Sequence, residues 1–327
     1  MKTFLNIFDV TVTIESELTI INWVEYDYAQ YVSKRTTPNP DLSFKLTQDK
    51  GNRQVFYGLL AKTYHQDYII YEKGHLRIID FFGEAFSVFN KKTKETEVYC
   101  PDINYLYEIF YLAFESLAGE ELEKKGYARI HCLALEKNGK VSILMLPPGG
   151  GKTTLALDFL KHPAIKVLTE DILLFKRGQF YGLHFRWGVR RKNYGGPQPS
   201  RLMKRRREHD KFLLNSVNFS LADSATYGNL IVGVRVLDDK SSIKPATKLF
   251  LFWRMFKPMV LGLELQQSLA YFLVGGFSDY LKKIKLLAKR LLNISLIIFH
   301  SQTFTAFLSN ETANNFQTLS RFIEHKN

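Results

Sequence analysis

Cysteine is scarce in this chain. Among 327 residues only Cys100 and Cys132 are present, too few for a disulfide framework and suited to a reducing compartment. No group of cysteines and histidines stands at zinc spacing, so no structural metal is expected. Long apolar runs are missing as well. Residues 1–9 lack an apolar stretch of signal-peptide length. The greasiest segment, residues 248–257, is broken by cations and too short to span a bilayer. Carboxylates are outnumbered: 32 Asp and Glu against 45 Lys and Arg leave a formal net charge of +13. These shortages lead to the expectation of a soluble, cytoplasmic protein without a membrane span. Apolar residues are not short. At 46% they suffice for a globular core, and the length allows one large domain or two ordinary ones.

The positive balance favours anionic partners: a nucleotide, an acidic protein, nucleic acid or an anionic membrane surface. The charge is clustered between Arg186 and Arg207. Arg186, Arg190, Arg191 and Lys192 precede a Gly-Gly-Pro turn, and Arg201, Lys204, Arg205, Arg206 and Arg207 follow it. No recognisable nucleic-acid module surrounds this run. It reads either as a solvated face or as a holder of phosphate groups or an acidic substrate.

The first hundred residues read as strands and turns, with β-branched and aromatic segments at residues 10–14, 68–71, 76–81 and 85–89. After Pro101 apolar residues recur at helical spacing, from Ile103 to Leu117. That change sets the expected division: residues 1–101 as a smaller β-rich domain, with a role in substrate recognition, and residues 102–327 as a second, α/β domain. Asn138-Gly139 between two apolar runs signals a hairpin. The strand carrying His131 is therefore expected to pair with the strand at residues 141–146. Residues 165–171 read as a strand ending in two carboxylates, residues 230–236 and 295–299 as later strands, and residues 280–292 as a basic amphipathic helix packed on the sheet. A last helix is expected over residues 310–325. His162 and His184 read as loop residues rather than ligands.

The chemistry concentrates in Ile143-Leu144-Met145-Leu146-Pro147-Pro148-Gly149-Gly150-Gly151-Lys152-Thr153-Thr154, followed by the helical run 155–160. A strand feeds a glycine turn, then a lysine, a hydroxyl and a helix. Glycines let the backbone turn its N–H groups toward an anion, and the helix aims its positive end at the same point. Pro148, Gly149, Gly150, Gly151, Lys152, Thr153 and Thr154 are the expected cradle of a triphosphate. Lys152 would reach the outer phosphates and Thr153 would sit on magnesium. The usual pattern has a glycine five positions before Gly151, where this chain has Leu146.

His131 stands 21 positions before Lys152, and the acidic pair Glu170-Asp171 begins 18 positions after it. In this ordered set the chain resembles the HPr kinase/phosphorylase-like kinases, whose nucleotide-binding fold is shared with phosphoenolpyruvate carboxykinase. The resemblance covers roughly residues 105–325 and is clearest from His131 to Asp171. It implies an α/β (α+β) core with a mixed sheet behind a smaller β-rich domain. It also implies ATP and Mg²⁺ as cofactors and transfer of the γ-phosphate to a hydroxyl, on a Ser or Thr of a peptide or protein or on a small molecule. His131, Glu170, Asp171 and Lys152 would be the catalytic residues, with Thr153 and Asp171 holding the metal. The relatives carry Asp-Asp where this chain has Glu170-Asp171, so either carboxylate could be the base. Relatives often assemble, which makes a homo-oligomer an expectation. Two other readings remain: a catalytically weak nucleotide-binding regulator, and a P-loop ATPase. Against the ATPase, residues 204–210 supply a basic run where an apolar strand ending in Asp-Glu is needed.

Overall fold

Strict alternation along Lys2–Ile7 (β1) and Val10–Glu15 (β2) buries Leu5, Ile7, Val10, Val12 and Ile14 and leaves their neighbours more exposed. That is the period-two pattern of a strand with one covered face. In the computed structural model these strands pair as an antiparallel hairpin. The structure describes the chain except residues 148, 191–200, 207–208, 257–276 and 327, and for residues 55 and 277–283 the backbone alone. The sheet continues with Val32–Ser33 (β3), Leu42–Thr47 (β4), Ala61–Tyr64 (β5), Ile69–Lys73 (β6), Leu76–Asp80 (β7), Phe86–Asn90 (β8) and Glu95–Tyr99 (β9). Its nine strands run in the order β3-β1-β2-β4-β9-β8-β7-β6-β5, and β4 lies parallel to both neighbours.

Among the described residues two α-helices belong to this unit, Leu18–Asp27 (α1) and Ile103–Lys124 (α2). Asp102 caps α2 by accepting from the Tyr105 N–H at 2.8 Å. Phe110 and Phe114 of α2 meet Phe44 of β4 edge-on, with centroids 5.4 and 5.8 Å apart. The helix is thereby part of the first unit. The break expected at residue 101 falls instead between Lys125 and Gly126, and the segment Gly188–Ser216 also belongs to the first unit. A composition change marked where strands end and a helix begins, which is not where one core ends and another begins.

A charge cluster ties the far strands together. Glu72 of β6 accepts from Arg77 at 2.8 Å and Lys91 at 2.7 Å, and also pairs with Lys62 of β5. Burial alone would push this carboxyl up. The hydrogen-bonded cations outweigh it and hold the group down at about 2, against an ordinary 4.5. Its stabilisation is complete above 4.5 and fades as pH falls from 4.5 toward 2. Glu72→Gln is expected to cost about 1–2 kcal/mol near neutrality, after allowance for solvent screening. Urea unfolding across a pH series checks this, because the gap between variant and wild type should close toward pH 2.

The second unit holds Ala128–His131 (β10), Leu133–Lys137 (β11), Lys140–Met145 (β12), Lys166–Thr169 (β13), Ile172–Lys176 (β14) and Gln179–Gly182 (β15). Trp187–Val189 (β16), Arg201–Met203 (β17) and Lys211–Leu214 (β18) make a small separate sheet. The second unit resumes with Ser224–Arg235 (β19), Ser242–Pro245 (β20) and Gln302–Leu308 (β21). Its α-helices among the described residues are Lys152–Phe159 (α3), Lys248–Met255 (α4), Phe277–His300 (α5) and Thr312–Lys326 (α6). The sheet is mixed: β12 and β21 flank β19 in parallel, and the other pairings are antiparallel. The chain is thus a mixed α/β protein with a β-rich first unit. Leu251, Met255, Ile294 and Ile297 of α4 and α5 pack into one core with Ile143, Leu230 and Phe175. Among the described residues no helix is long and apolar enough to cross a membrane.

Two local expectations are corrected. Residues 295–299 are not a strand but the end of α5, and the strand follows at β21. The run Leu296-Ile297-Ile298 suits a strand by composition, yet burial of Ile294, Ile297 and Ile298 at helical spacing decides for the helix. The Asn138-Gly139 hairpin does join β11 to β12. His131, however, lies on β10, which separates from β11 at Cys132 and pairs with β14 instead, His131 opposite Ile172.

Candidate functional site

β12 ends at Met145 inside the sheet, and the chain then turns through Pro147 and three glycines into α3. Gly149 and Gly151 have φ of +73° and +89°, a region that residues with a Cβ rarely enter. The Gly150 N–H closes the turn on the Pro147 carbonyl at 2.9 Å. Pro148 lies outside the described residues. Leu146 explains the missing glycine of the usual pattern. It is buried, and a Cβ on Gly233 of the adjacent β19 would come within 2.1 Å of its Cδ2. Leu146 is thus a core residue and the turn begins after it.

The first bond inside α3 runs from the Leu155 N–H to the Gly151 carbonyl at 3.0 Å. The N–H groups of Lys152, Thr153 and Thr154 therefore have no acceptor within the helix, and its positive end faces the turn. The Lys152 Nζ donates to the Leu146 carbonyl at 2.9 Å, which keeps the ammonium beside the turn. Around the position of a Cβ on Gly149 there is open space to 4 Å.

The acidic pair occupies the bend between β13 and β14. Glu170 Oε2 accepts from the Thr153 hydroxyl at 2.8 Å. Asp171 Oδ1 meets His131 Nδ1 at 2.7 Å, and the Asp171 carbonyl accepts from the Cys132 N–H at 2.9 Å. The break between β10 and β11 brings the imidazole to this bend. The carboxylate that meets Thr153 is accordingly Glu170, whereas the sequence reading joined Thr153 with Asp171 for the metal. Hard oxygen donors beside a lysine and outward-facing N–H groups fit a magnesium-bound triphosphate.

Arg235 escaped the sequence reading. It ends β19, three residues beyond Val232, which pairs with Met145 at the end of β12, so it stands level with the turn. Its Nη2 donates to the Gly150 carbonyl at 3.0 Å and its Nη1 to the Ser309 carbonyl. In the sequence it falls inside the strand expected over residues 230–236. The available signal was an arginine closing an apolar strand that could neighbour the loop-bearing strand.

Other candidates resolve differently. Three members of the basic run are paired with carboxylates within the first unit. Arg201 donates to the buried Asp27 at 2.8 Å, with its guanidinium 4.8 Å from the centres of the Trp23 and Tyr107 rings. Arg205 pairs with Glu108 and Arg206 with Glu84. Arg191, Lys192 and Arg207 lie outside the described residues. His184 is buried with Nε2 on the Leu168 carbonyl at 2.8 Å, and its burial pushes the imidazole pKa down. His162 Nδ1 accepts from the N–H groups of Ala164 and Ile165, a local turn. Among the described residues no group of three or more His, Cys, Asp or Glu could hold a metal. A magnesium ion on a triphosphate needs no such cluster, because phosphate oxygens and water supply most of its ligands. No family model matches this chain, and no curated protein matches it at a significant level.

Proposed function

We propose that this chain is an ATP-dependent phosphotransferase with a core like that of the HPr kinase/phosphorylase-like kinases and phosphoenolpyruvate carboxykinase. It moves the γ-phosphate to a hydroxyl, on a Ser or Thr of a peptide or protein or on a small molecule. The reading rests on two short bonds beside one glycine turn, Thr153 to Glu170 and His131 to Asp171. A plain structural turn has no use for both. Lys152 and the first N–H groups of α3 hold the triphosphate and offset charge that grows during transfer. Thr153 and Glu170 are the donors for magnesium, which when bound neutralises the phosphate oxygens. Asp171 takes the proton of the attacking hydroxyl as the new oxygen–phosphorus bond forms and the bond to ADP breaks. His131 acts through Asp171, fixing one of its oxygens.

The test is incubation with γ-labelled ATP and Mg²⁺ against serine- and threonine-containing peptides and small alcohols. Magnesium-dependent label on a hydroxyl supports the reading. Binding without transfer would leave the regulator, and no binding of magnesium-bound ATP would remove the site altogether. Arg235 gives a further expectation. Its two hydrogen bonds hold the turn against its neighbours, and its charge lies near the phosphate position. Arg235→Ala is expected to lower kcat/KM for ATP about tenfold, the scale of one lost charged hydrogen bond. Arg235→Lys should recover little of it, because an ammonium cannot span two carbonyls as a guanidinium does. Nucleotide titration beside a thermal melt separates this from unfolding.

A further inference from the structure

We propose that the outward face of α4 and α5 docks on the surface of an anionic phospholipid bilayer. The inner faces of the two helices pack on the sheet, but their outer faces are uncommonly apolar for a water-facing surface. Leu249 and Trp253 of α4 are 68% and 65% exposed, and Leu292 and Phe299 of α5 are 62% and 69% exposed. The two helices meet at this face, where the Lys248 Nζ donates to the Phe299 carbonyl at 2.7 Å and lies over its ring. That contact sets Phe299 of α5 against the start of α4, so the exposed apolar side chains of the two helices adjoin there.

Among the described side chains of α4 and α5 the charge has a single sign. Lys248, Arg254, Lys285 and Lys289 are all exposed, and neither residues 248–256 nor residues 284–300 contain an Asp or Glu. On α5, positions 285, 289, 292, 296 and 299 fall within a sector of about 80° of the helix. Lysines and bulky apolar groups thus share one stripe. Tryptophan, leucine and phenylalanine can enter the headgroup boundary while flexible cations reach lipid phosphates. A second copy of the same face is a poor occupant, because it would bring cations against cations with no carboxylate between them. The chain's net charge of +13 adds attraction at longer range.

Sedimentation with vesicles tests the proposal on the full chain. Expected is pelleting with phosphatidylcholine–phosphatidylglycerol vesicles, little with phosphatidylcholine alone, and release by salt. Lys285→Glu with Lys289→Glu should weaken binding about tenfold or more. Trp253→Glu should do the same by removing the insertion. These side chains face solvent, so the melting midpoint should not move. If Trp253→Glu does unfold the chain, wild-type tryptophan emission still decides. It should shift to the blue with the anionic vesicles, and Trp253→Phe should remove the shift. Failure to pellet with anionic vesicles at low salt overturns the proposal. So does binding that the charge reversals leave unchanged, or a concentration-dependent dimer that Leu292→Glu breaks, which would make the face a self-association surface.

Discussion

Lys152→Ala is expected to lower γ-phosphate transfer by about 10³-fold, near the upper range for deleting one preorganised charge donor. The reasoning starts from the position of the ammonium. Lys152 opens α3, and its Nζ is held on the Leu146 carbonyl beside the glycine turn. It therefore meets phosphate with little rearrangement. Charge on the phosphate oxygens grows toward the transition state, so kcat should fall further than affinity for magnesium-bound ATP. Alanine is the best helix former, so α3 itself should survive the change. Transfer assays, nucleotide titration and a melt on the same preparation distinguish loss of chemistry from loss of fold. Transfer at the wild-type rate would take Lys152 out of the reaction, and the phosphotransferase reading with it. Lys152→Ala with Arg235→Ala should cost less than the sum of the two single changes, because both cations act on one turn.

Much of this candidate site is legible in the sequence, for a local reason. Strand, glycine turn, lysine, hydroxyl and helix lie on one continuous segment, so β12 and α3 follow from short-range pattern alone. The strand leading to Glu170-Asp171 was legible for the same reason, although it stops at Thr169 and the pair lies in the bend after it. What the sequence did not carry was pairing between distant segments. Asn138-Gly139 announced the hairpin, but nothing local announced that the chain separates at Cys132 and hands His131 to β14. That separation is what joins His131 to Asp171. Arg235 was illegible because its partners, the carbonyls of Gly150 and Ser309, are 85 and 74 positions away. The first helix, α1, was missed among strong strand signals, since Ile20, Ile21 and Val24 are β-branched yet buried at helical spacing. The domain boundary was displaced because α2 packs on the sheet before it, a choice made by Phe44, Phe110 and Phe114 rather than by composition. Leu146, which broke the motif, became intelligible only beside Gly233 on the neighbouring strand.

The two carboxylates should respond differently to removal of their charge, and this difference assigns their roles. Asp171→Asn is expected to lower kcat by about 10²–10⁴-fold, the usual worth of a general base, with magnesium-bound ATP held nearly as well. An amide keeps the shape of the side chain but cannot take the proton. Glu170→Gln should instead raise the magnesium concentration needed for half-maximal rate, because a neutral amide oxygen is a weaker ligand for a hard cation. Much of its lost activity should return at high magnesium. The reason lies in the partners: Glu170 meets the Thr153 hydroxyl, a metal ligand of phosphate loops, while Asp171 meets His131. His131→Ala should therefore lower kcat less than Asp171→Asn does, since it removes only the group that orients the base. Rates measured across a magnesium series for all three variants decide the matter. If magnesium rescues Asp171→Asn and leaves Glu170→Gln inactive, the roles are exchanged, and Glu170 is the base.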